Sequence, residues 1–187
     1  MSIQIGKPAP DLTVDAYVRG ESEPQRISLD DYRGKWVVLF FYPRDFTFVC
    51  PTEIQAFASL SGAFGQESAV VLGASTDSYH SHKAWFETDP RLAEVNYAVL
   101  ADSSHRLSDA FNILLEDGRA LRATFIVDPD GNLRQIQVND LDTGRDVAET
   151  LRTLQALRTG ALCPAGWRPG AETLGEGEMK DVIAPTV

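Results

Sequence analysis

A six-residue apolar run without a polar break, WVVLFF at residues 36–41, constrains this chain more than any other feature. A strand wetted on one face alternates polar and apolar side chains, so an unbroken run is the pattern of a strand covered on both faces. After a loop over 43–48, Pro51 stands where a first helical residue would, and Glu53, Ile54, Phe57 and Leu60 continue at helical spacing. Cys50 therefore falls in or next to the first turn of a helix that follows a buried strand. Unpaired backbone N–H groups and the positive end of the helix dipole favour a thiolate over a thiol there. A lone cysteine is ordinarily a small, inert, buried hydrophobe. The strand-to-helix position, with Pro43, Arg44 and Thr47 nearby, makes Cys50 a candidate nucleophile instead.

The rest of the chain continues the alternation. AVVLGA at 69–74 is a second short apolar run, followed by the turn residues Ser75, Thr76, Asp77 and Ser78. Strands are expected over 11–18, 26–29, 97–100, 123–127 and 133–138. Helices are expected over 50–64, 79–87, 105–114 and 145–158. Asp102, Ser103 and Ser104 are N-cap candidates for the third helix. Asp128-Pro129-Asp130-Gly131 forms a hairpin turn. The last helix places Val147, Leu151, Leu154 and Leu157 on one face and has Gly160 as its C-cap. Helical crossovers imply parallel neighbours and the hairpin is antiparallel, which gives an α/β fold with a mixed sheet.

With 187 residues the chain suits one well-buried domain. Its 17 basic and 27 acidic residues, net charge −10, argue against a nucleic-acid or anionic-membrane surface, which would repel it. No apolar run approaches a membrane span, and the opening MSIQIGKPAP lacks the apolar stretch of a signal peptide, so the expected location is cytoplasmic. Two cysteines make neither a disulfide framework nor a zinc site. His80 and His82, two apart on a helix, point in different directions and suggest no metal. No glycine-rich phosphate loop follows any strand, and no cofactor is called for.

The segment P-x-x-x-T-x-x-C, here Pro43, Thr47 and Cys50 followed by Pro51-Thr52-Glu53, resembles the active-site signature of the peroxiredoxins. FTFVCPTE together with the late Cys163-Pro164-Ala165-Gly166-Trp167 is similar to the typical two-cysteine branch, of the bacterial alkyl hydroperoxide reductase type. The likeness runs from Gly6 to about Gly170. It implies a thioredoxin-like mixed sheet flanked by helices, with an N-terminal β-hairpin and an inserted strand–helix. Residues 1–160 would form the peroxidase domain and 161–187 a tail carrying a second reactive cysteine. The implied activity is thiol-dependent reduction of hydrogen peroxide and alkyl hydroperoxides.

A thiolate alone does not make a peroxidase. Lowering a thiol pKa from about 8.5 to about 6 raises its ionised fraction roughly 30-fold at neutral pH. Intrinsic nucleophilicity falls roughly 10-fold over the same interval, leaving only a few-fold gain. Donors must grip the peroxide as its O–O bond breaks. Thr47 can both donate and accept a hydrogen bond. The resemblance supplies Arg122 as the permanently charged partner, in a segment, Arg122 to Pro129, that matches the family pattern R-x-T-F-[IV]-[IV]-D-P. It assigns Pro43 to shaping and shielding the pocket and Glu53 to supporting the site arginines. Glu53 also occupies the place of the second cysteine of a C-x-x-C motif, which excludes dithiol exchange through that motif. Arg44 reads as a surface charge.

Cys50 oxidised to a sulfenic acid would condense with a second thiol, and the resemblance casts Cys163 as that resolving residue. It further implies a homodimer with a disulfide between subunits, often assembled as a decamer of five dimers. The recycling partner would be a disulfide reductase: a flavoprotein, thioredoxin or a small carboxymuconolactone-decarboxylase-like protein. A redox relay or ring-shaped holdase chaperone is the alternative function. The surroundings of Glu94-Val95-Asn96 lack the G-G-L-G insert of overoxidation-sensitive relatives, and the tail lacks their Tyr-Phe pair, so resistance to overoxidation is expected. The tail beyond Gly170 lacks sustained periodicity.

Overall fold

The computed structural model describes residues 3–175. The expected tail therefore falls partly outside the described residues, at 176–187. Seven strands form one sheet: β1 (Val14–Tyr17), β2 (Gln25–Ile27), β3 (Trp36–Phe41), β4 (Ala69–Ser75), β5 (Ala98–Ala101), β6 (Arg122–Val127) and β7 (Leu133–Asn139). Their spatial order is β2-β1-β5-β4-β3-β6-β7. β3 pairs in parallel with β4, and β4 with β5, across helical crossovers; the other pairings are antiparallel. β3 sits between β4 and β6, and its residues from Val37 onward are buried. That position accounts for the unbroken apolar run.

Phe40 and Phe41 project to opposite faces of the sheet. Phe41 meets Phe111 and Phe125 in a core with Leu39, Leu72 and Leu107. Phe40 stacks on Phe57 with ring centroids 4.0 Å apart and takes Tyr97 edge-on. Phe57 belongs to α1 (Cys50–Ser59), so β3 grips the helix that carries Cys50.

The helix expected over 50–64 is two helices, α1 and α2 (Ser61–Gln66). Leu60 leaves helical geometry at φ −97° and ψ 3°, and Ser61 and Gly62, weak helix formers, follow it. α3 (Tyr79–Thr88) begins as expected, with the Ser78 hydroxyl accepting from the Ser81 N–H. α4 is shorter than expected, Arg106–Ala110. The buried Asp102 carboxylate accepts from Leu107 and Ser108 N–H and fixes its start. Asn112, at φ 54°, ends it, and Leu114 pairs with Ala120 instead of continuing the helix. The strand expected over 26–29 stops at Ile27, because Leu29–Tyr32 turns into a short 3-10 helix.

Two compact units divide the chain after Val147. The first contains the sheet and α1 to α4. The second contains nearly all of α5 (Val147–Thr159) and the segment after it. Gly160, at φ 67°, ends α5 as expected. In this second unit Leu162 and Leu174 pair through their backbones, and the Trp167 indole donates to the Ala171 carbonyl. Among the described residues, no helix is long and apolar enough to cross a membrane.

Candidate active site

Cys50 opens α1 directly before Pro51 and is 1% exposed. It lines a cavity of about 340 Å³ together with Pro43, Thr47, Arg122, Arg119 and Leu141. Arg122 Nη1 lies 3.5 Å from its sulfur. β6 delivers that guanidinium: Arg122 opens the strand, and its Nε donates to the Leu141 carbonyl at 2.6 Å. Read without the resemblance, Arg122 is an exposed charge at a strand end. Here it is 4% exposed and points at the thiol.

Glu53, one helical turn from Cys50, anchors the arrangement. Its Oε2 accepts from Arg122 Nη1 at 2.6 Å and from Arg145 Nη2 at 3.0 Å. Its Oε1 accepts from Arg145 Nε at 2.8 Å and from the Arg145 backbone N–H at 2.9 Å. Arg145 Nη1 donates onward to the Ala123 carbonyl at 2.6 Å, and its guanidinium lies 5.5 Å from the Phe40 ring centre. Burial pushes the Glu53 carboxyl pKa up, but the hydrogen bonds and charge of Arg145, then Arg122, outweigh it and hold the group below the ordinary glutamate range. Two guanidiniums and one carboxylate leave one positive charge unbalanced in a buried cluster.

Thr47 lies in the loop between β3 and α1 and lines the same cavity. Its hydroxyl donates to the Arg44 carbonyl at 2.9 Å, so the proton is committed and the oxygen is left to accept. Pro43, buried and without an N–H, walls the cavity. Arg44 is exposed. Cys163 belongs to the second unit, after α5. Its sulfur lies 3.4 Å from the Thr159 hydroxyl and 3.7 Å from the Ala156 carbonyl. Both cysteines are free thiols.

Sequence reasoning does not single out Arg145, which reads there as the first residue of the last helix. α5 starts two residues later, and Arg145 turns into the cluster instead. One signal is present: a cation at a helix N-terminus opposes the dipole, which marks a side chain committed elsewhere. Arg119, at the cavity rim, is tied to Asp117. His80 is exposed while His82 is fully buried, so the two do not converge.

The sequence and the fold match known proteins closely. A model of the AhpC/TSA family matches residues 5–136. "Peroxiredoxin prdx-2" of Caenorhabditis elegans is 53% identical over 182 residues, covering 92% of this chain and 89% of that protein. "Putative peroxiredoxin YkuU" of Bacillus subtilis is 47% identical over 176 residues, covering 91% and 97%. Among solved structures, the reduced Plasmodium vivax 2-Cys peroxiredoxin superposes with a TM-score of 0.86 at 35% identity, covering 90% of this chain and 91% of that one. Mycobacterium tuberculosis AhpC gives 0.81 at 36% identity, covering 90% and 100%. The chain belongs to the AhpC/TSA family, with the thioredoxin-like fold of the peroxiredoxins. It is a thiol-dependent peroxidase.

Proposed function

We propose that Cys50 is the peroxide-attacking residue, that Thr47 and Arg122 bind the peroxide, and that Cys163 resolves the oxidised product. The observation that carries this reading is the 3.5 Å approach of Arg122 Nη1 to the Cys50 sulfur, with the guanidinium fixed from behind by Glu53 and Leu141. Such a donor needs no reorganisation when charge develops on oxygen. The Cys50 thiolate attacks one peroxide oxygen, the O–O bond breaks, and the other oxygen leaves as water or alcohol after taking a proton. Thr47, with its own proton on the Arg44 carbonyl, accepts the hydrogen of the bound hydroperoxide and aligns it. Hydrogen peroxide and small alkyl hydroperoxides suit a cavity of this size.

The Cys163 thiol then displaces water from the Cys50 sulfenic acid, forming a disulfide. Cys50 is buried in a helix, so its first turn must open for this step. A dithiol protein restores both cysteines; a flavoprotein, thioredoxin or a small carboxymuconolactone-decarboxylase-like reductase supplies the electrons. That recycling needs a reducing compartment, which supports a cytoplasmic location.

The disulfide is read as joining two subunits of a homodimer. Among the described residues β7 lies at the edge of the sheet, and its Val138 is 45% exposed, a surface suited to a second copy. Phe46 and Phe48, 61% and 91% exposed on the loop before α1, form a separate apolar surface suited to assembling dimers into a decamer.

Cys50→Ser abolishes peroxide consumption on this reading. One equivalent of peroxide gives a dimer band on a non-reducing gel that requires both cysteines. Undiminished turnover by Cys50→Ser would reject the assignment.

A further inference from the structure

The chain is acidic, yet the lining of the Cys50 cavity is not. Acidic residues outnumber basic ones 27 to 17 in the whole sequence. Of the four charged side chains that line the cavity, three are arginines, Arg44, Arg119 and Arg122, and one is acidic, Asp142. A protein of net charge −10 repels an anionic substrate in general and draws it in only where the local sign is reversed.

Arg122 is committed to Glu53, Leu141 and the sulfur. Arg44 and Arg119 have no such part. Arg44 stands exposed on the loop between β3 and α1, and its guanidinium makes no ion pair or hydrogen bond among the described residues. Arg119 lies shortly before β6. Its Nε donates to Asp117 Oδ2 at 2.8 Å and its Nη2 to the same oxygen, which leaves Nη1 without a partner among the described residues. The two cations share one corner of the cavity: the Asp117 carboxyl is held below its ordinary range by hydrogen bonds from Arg119 and, to a smaller extent, by the charge of Arg44.

Among the described residues, only Arg122 hydrogen-bonds the Cys50 sulfur. Arg44 and Arg119 therefore serve a part of the substrate away from the O–O bond. The cavity, about 340 Å³, exceeds what hydrogen peroxide occupies, and Val49 and Leu141 add apolar lining for a hydrocarbon portion. A neutral alkyl hydroperoxide uses that lining but gives the two arginines nothing to bind. A hydroperoxide with a carboxylate on its hydrocarbon portion uses both, because the planar guanidinium fork matches a carboxylate.

We propose that Arg44 and Arg119 form an anion-receiving subsite at the cavity mouth, so that the enzyme prefers organic hydroperoxides carrying a carboxylate over neutral ones of the same shape. The chemical step is the one given above. The Cys50 thiolate takes the terminal OH as the O–O bond breaks, its sulfur is oxidised to the sulfenic acid, and the alkoxide takes a proton and leaves as a hydroxy acid. This rests on the reading of Cys50 as the attacking residue.

The test compares cumene hydroperoxide with its para-carboxylate analogue, which share the reacting group and the ring and differ in charge. Stopped flow gives the rate constant for Cys50 oxidation by each in the full chain at neutral pH. The readout is the ratio of the two, carboxylate over neutral, which cancels any general effect on Cys50. The wild type is expected to give a ratio above one at low salt, falling as sodium chloride screens the charges. Arg44→Gln combined with Arg119→Gln should lower the ratio roughly 10-fold. A wild-type ratio below one, a ratio indifferent to salt, or a ratio that the double variant leaves unmoved overturns the proposal. If the double variant does not fold, Arg44→Gln alone, which strips no acidic group of a partner, and the salt series decide the matter. A Cys50→Ser protein that still consumes peroxide would instead sink the parent reading, so the two failures are distinguishable.

Discussion

Arg145 grips both carboxylate oxygens of Glu53, with Nε 2.8 Å from Oε1 and Nη2 3.0 Å from Oε2, while Arg122 shares Oε2 from the other side. One carboxylate therefore organises two buried guanidiniums, and only one of them reaches the sulfur. Glu53→Gln leaves both cations without their counter-charge. Removing one partner of a buried ion pair costs about 3–5 kcal/mol. We expect the variant to unfold at lower denaturant concentration by a corresponding amount at neutral pH, with peroxidase activity falling as Arg122 loses its backing. Chemical denaturation monitored by circular dichroism measures the first effect directly.

The same carboxylate gives the stability a pH dependence with a definite sign. Its folded-state pKa lies below the ordinary value of 4.5. Its contribution is therefore complete above that value and is lost as pH falls through the lower folded-state pKa. Protonated Glu53 resembles glutamine, so the stability gap between wild type and Glu53→Gln should narrow steadily below about pH 4.5. A gap that stays constant into acid would show that charge is not what Glu53 contributes.

Much of this site is legible in the sequence because its parts lie where local pattern is strongest. Cys50 follows an unbroken apolar strand, and Pro51 marks the helix start. Arg122 can be placed on a strand but not aimed: nothing local distinguishes a strand-end arginine in water from one pointed at a thiol 72 positions away. Arg145 is harder still, because the helical periodicity after it absorbs it into α5. Elements set by periodicity are readable, whereas side chains whose partners lie on distant elements are not. The expected helix over 105–114 is shorter for the same reason, since Leu114 pairs with Ala120 across a turn.

Thr47 has a narrower role in the structure than its chemistry allows. Its proton goes to the Arg44 carbonyl at 2.9 Å, so only its oxygen faces incoming peroxide. Thr47→Val removes that acceptor at nearly constant volume and should lower the rate constant for Cys50 oxidation by roughly 10²-fold. Thr47→Ser keeps the hydroxyl and should recover most of the rate. Comparable loss in both variants would point to the methyl group, not to hydrogen bonding.

Gly73 on β4 shows how closely the sheet is fitted beneath the reactive helix. A Cβ there would stand 3.2 Å from Phe40 Cζ, and Phe40 is fully buried between Gly73, Tyr97 and the stacked Phe57 of α1. Gly73→Ala must push Phe40 into Phe57 or disturb β4. Overpacking of this kind costs about 1–3 kcal/mol. Thermal unfolding should show the loss, and peroxide reactivity should drop with it, because Phe57 lies on the helix that holds Cys50. A fully active, equally stable variant would mean that Phe40 has room to move.

The fate of oxidised Cys50 depends on how readily the start of α1 opens. A sulfenic acid that remains buried can meet a second peroxide; on the proposed function, one released by unwinding of the first turn meets Cys163 instead. Two tethers hold that turn closed: the Glu53 cluster, and the Tyr97 hydroxyl, which donates to the Ile54 carbonyl at 2.8 Å. The chain between the Pro90–Leu92 turn and β5 is short, with Glu94 and Asn96 exposed, and adds no long insert over the helix. We therefore expect slow accumulation of Cys50 sulfinic acid during turnover in excess peroxide, read by mass spectrometry. Tyr97→Phe cuts one tether while leaving the cavity lining unchanged, so it should slow that accumulation further and speed disulfide formation. Faster overoxidation in Tyr97→Phe would show that this hydroxyl does not restrain the opening of the helix.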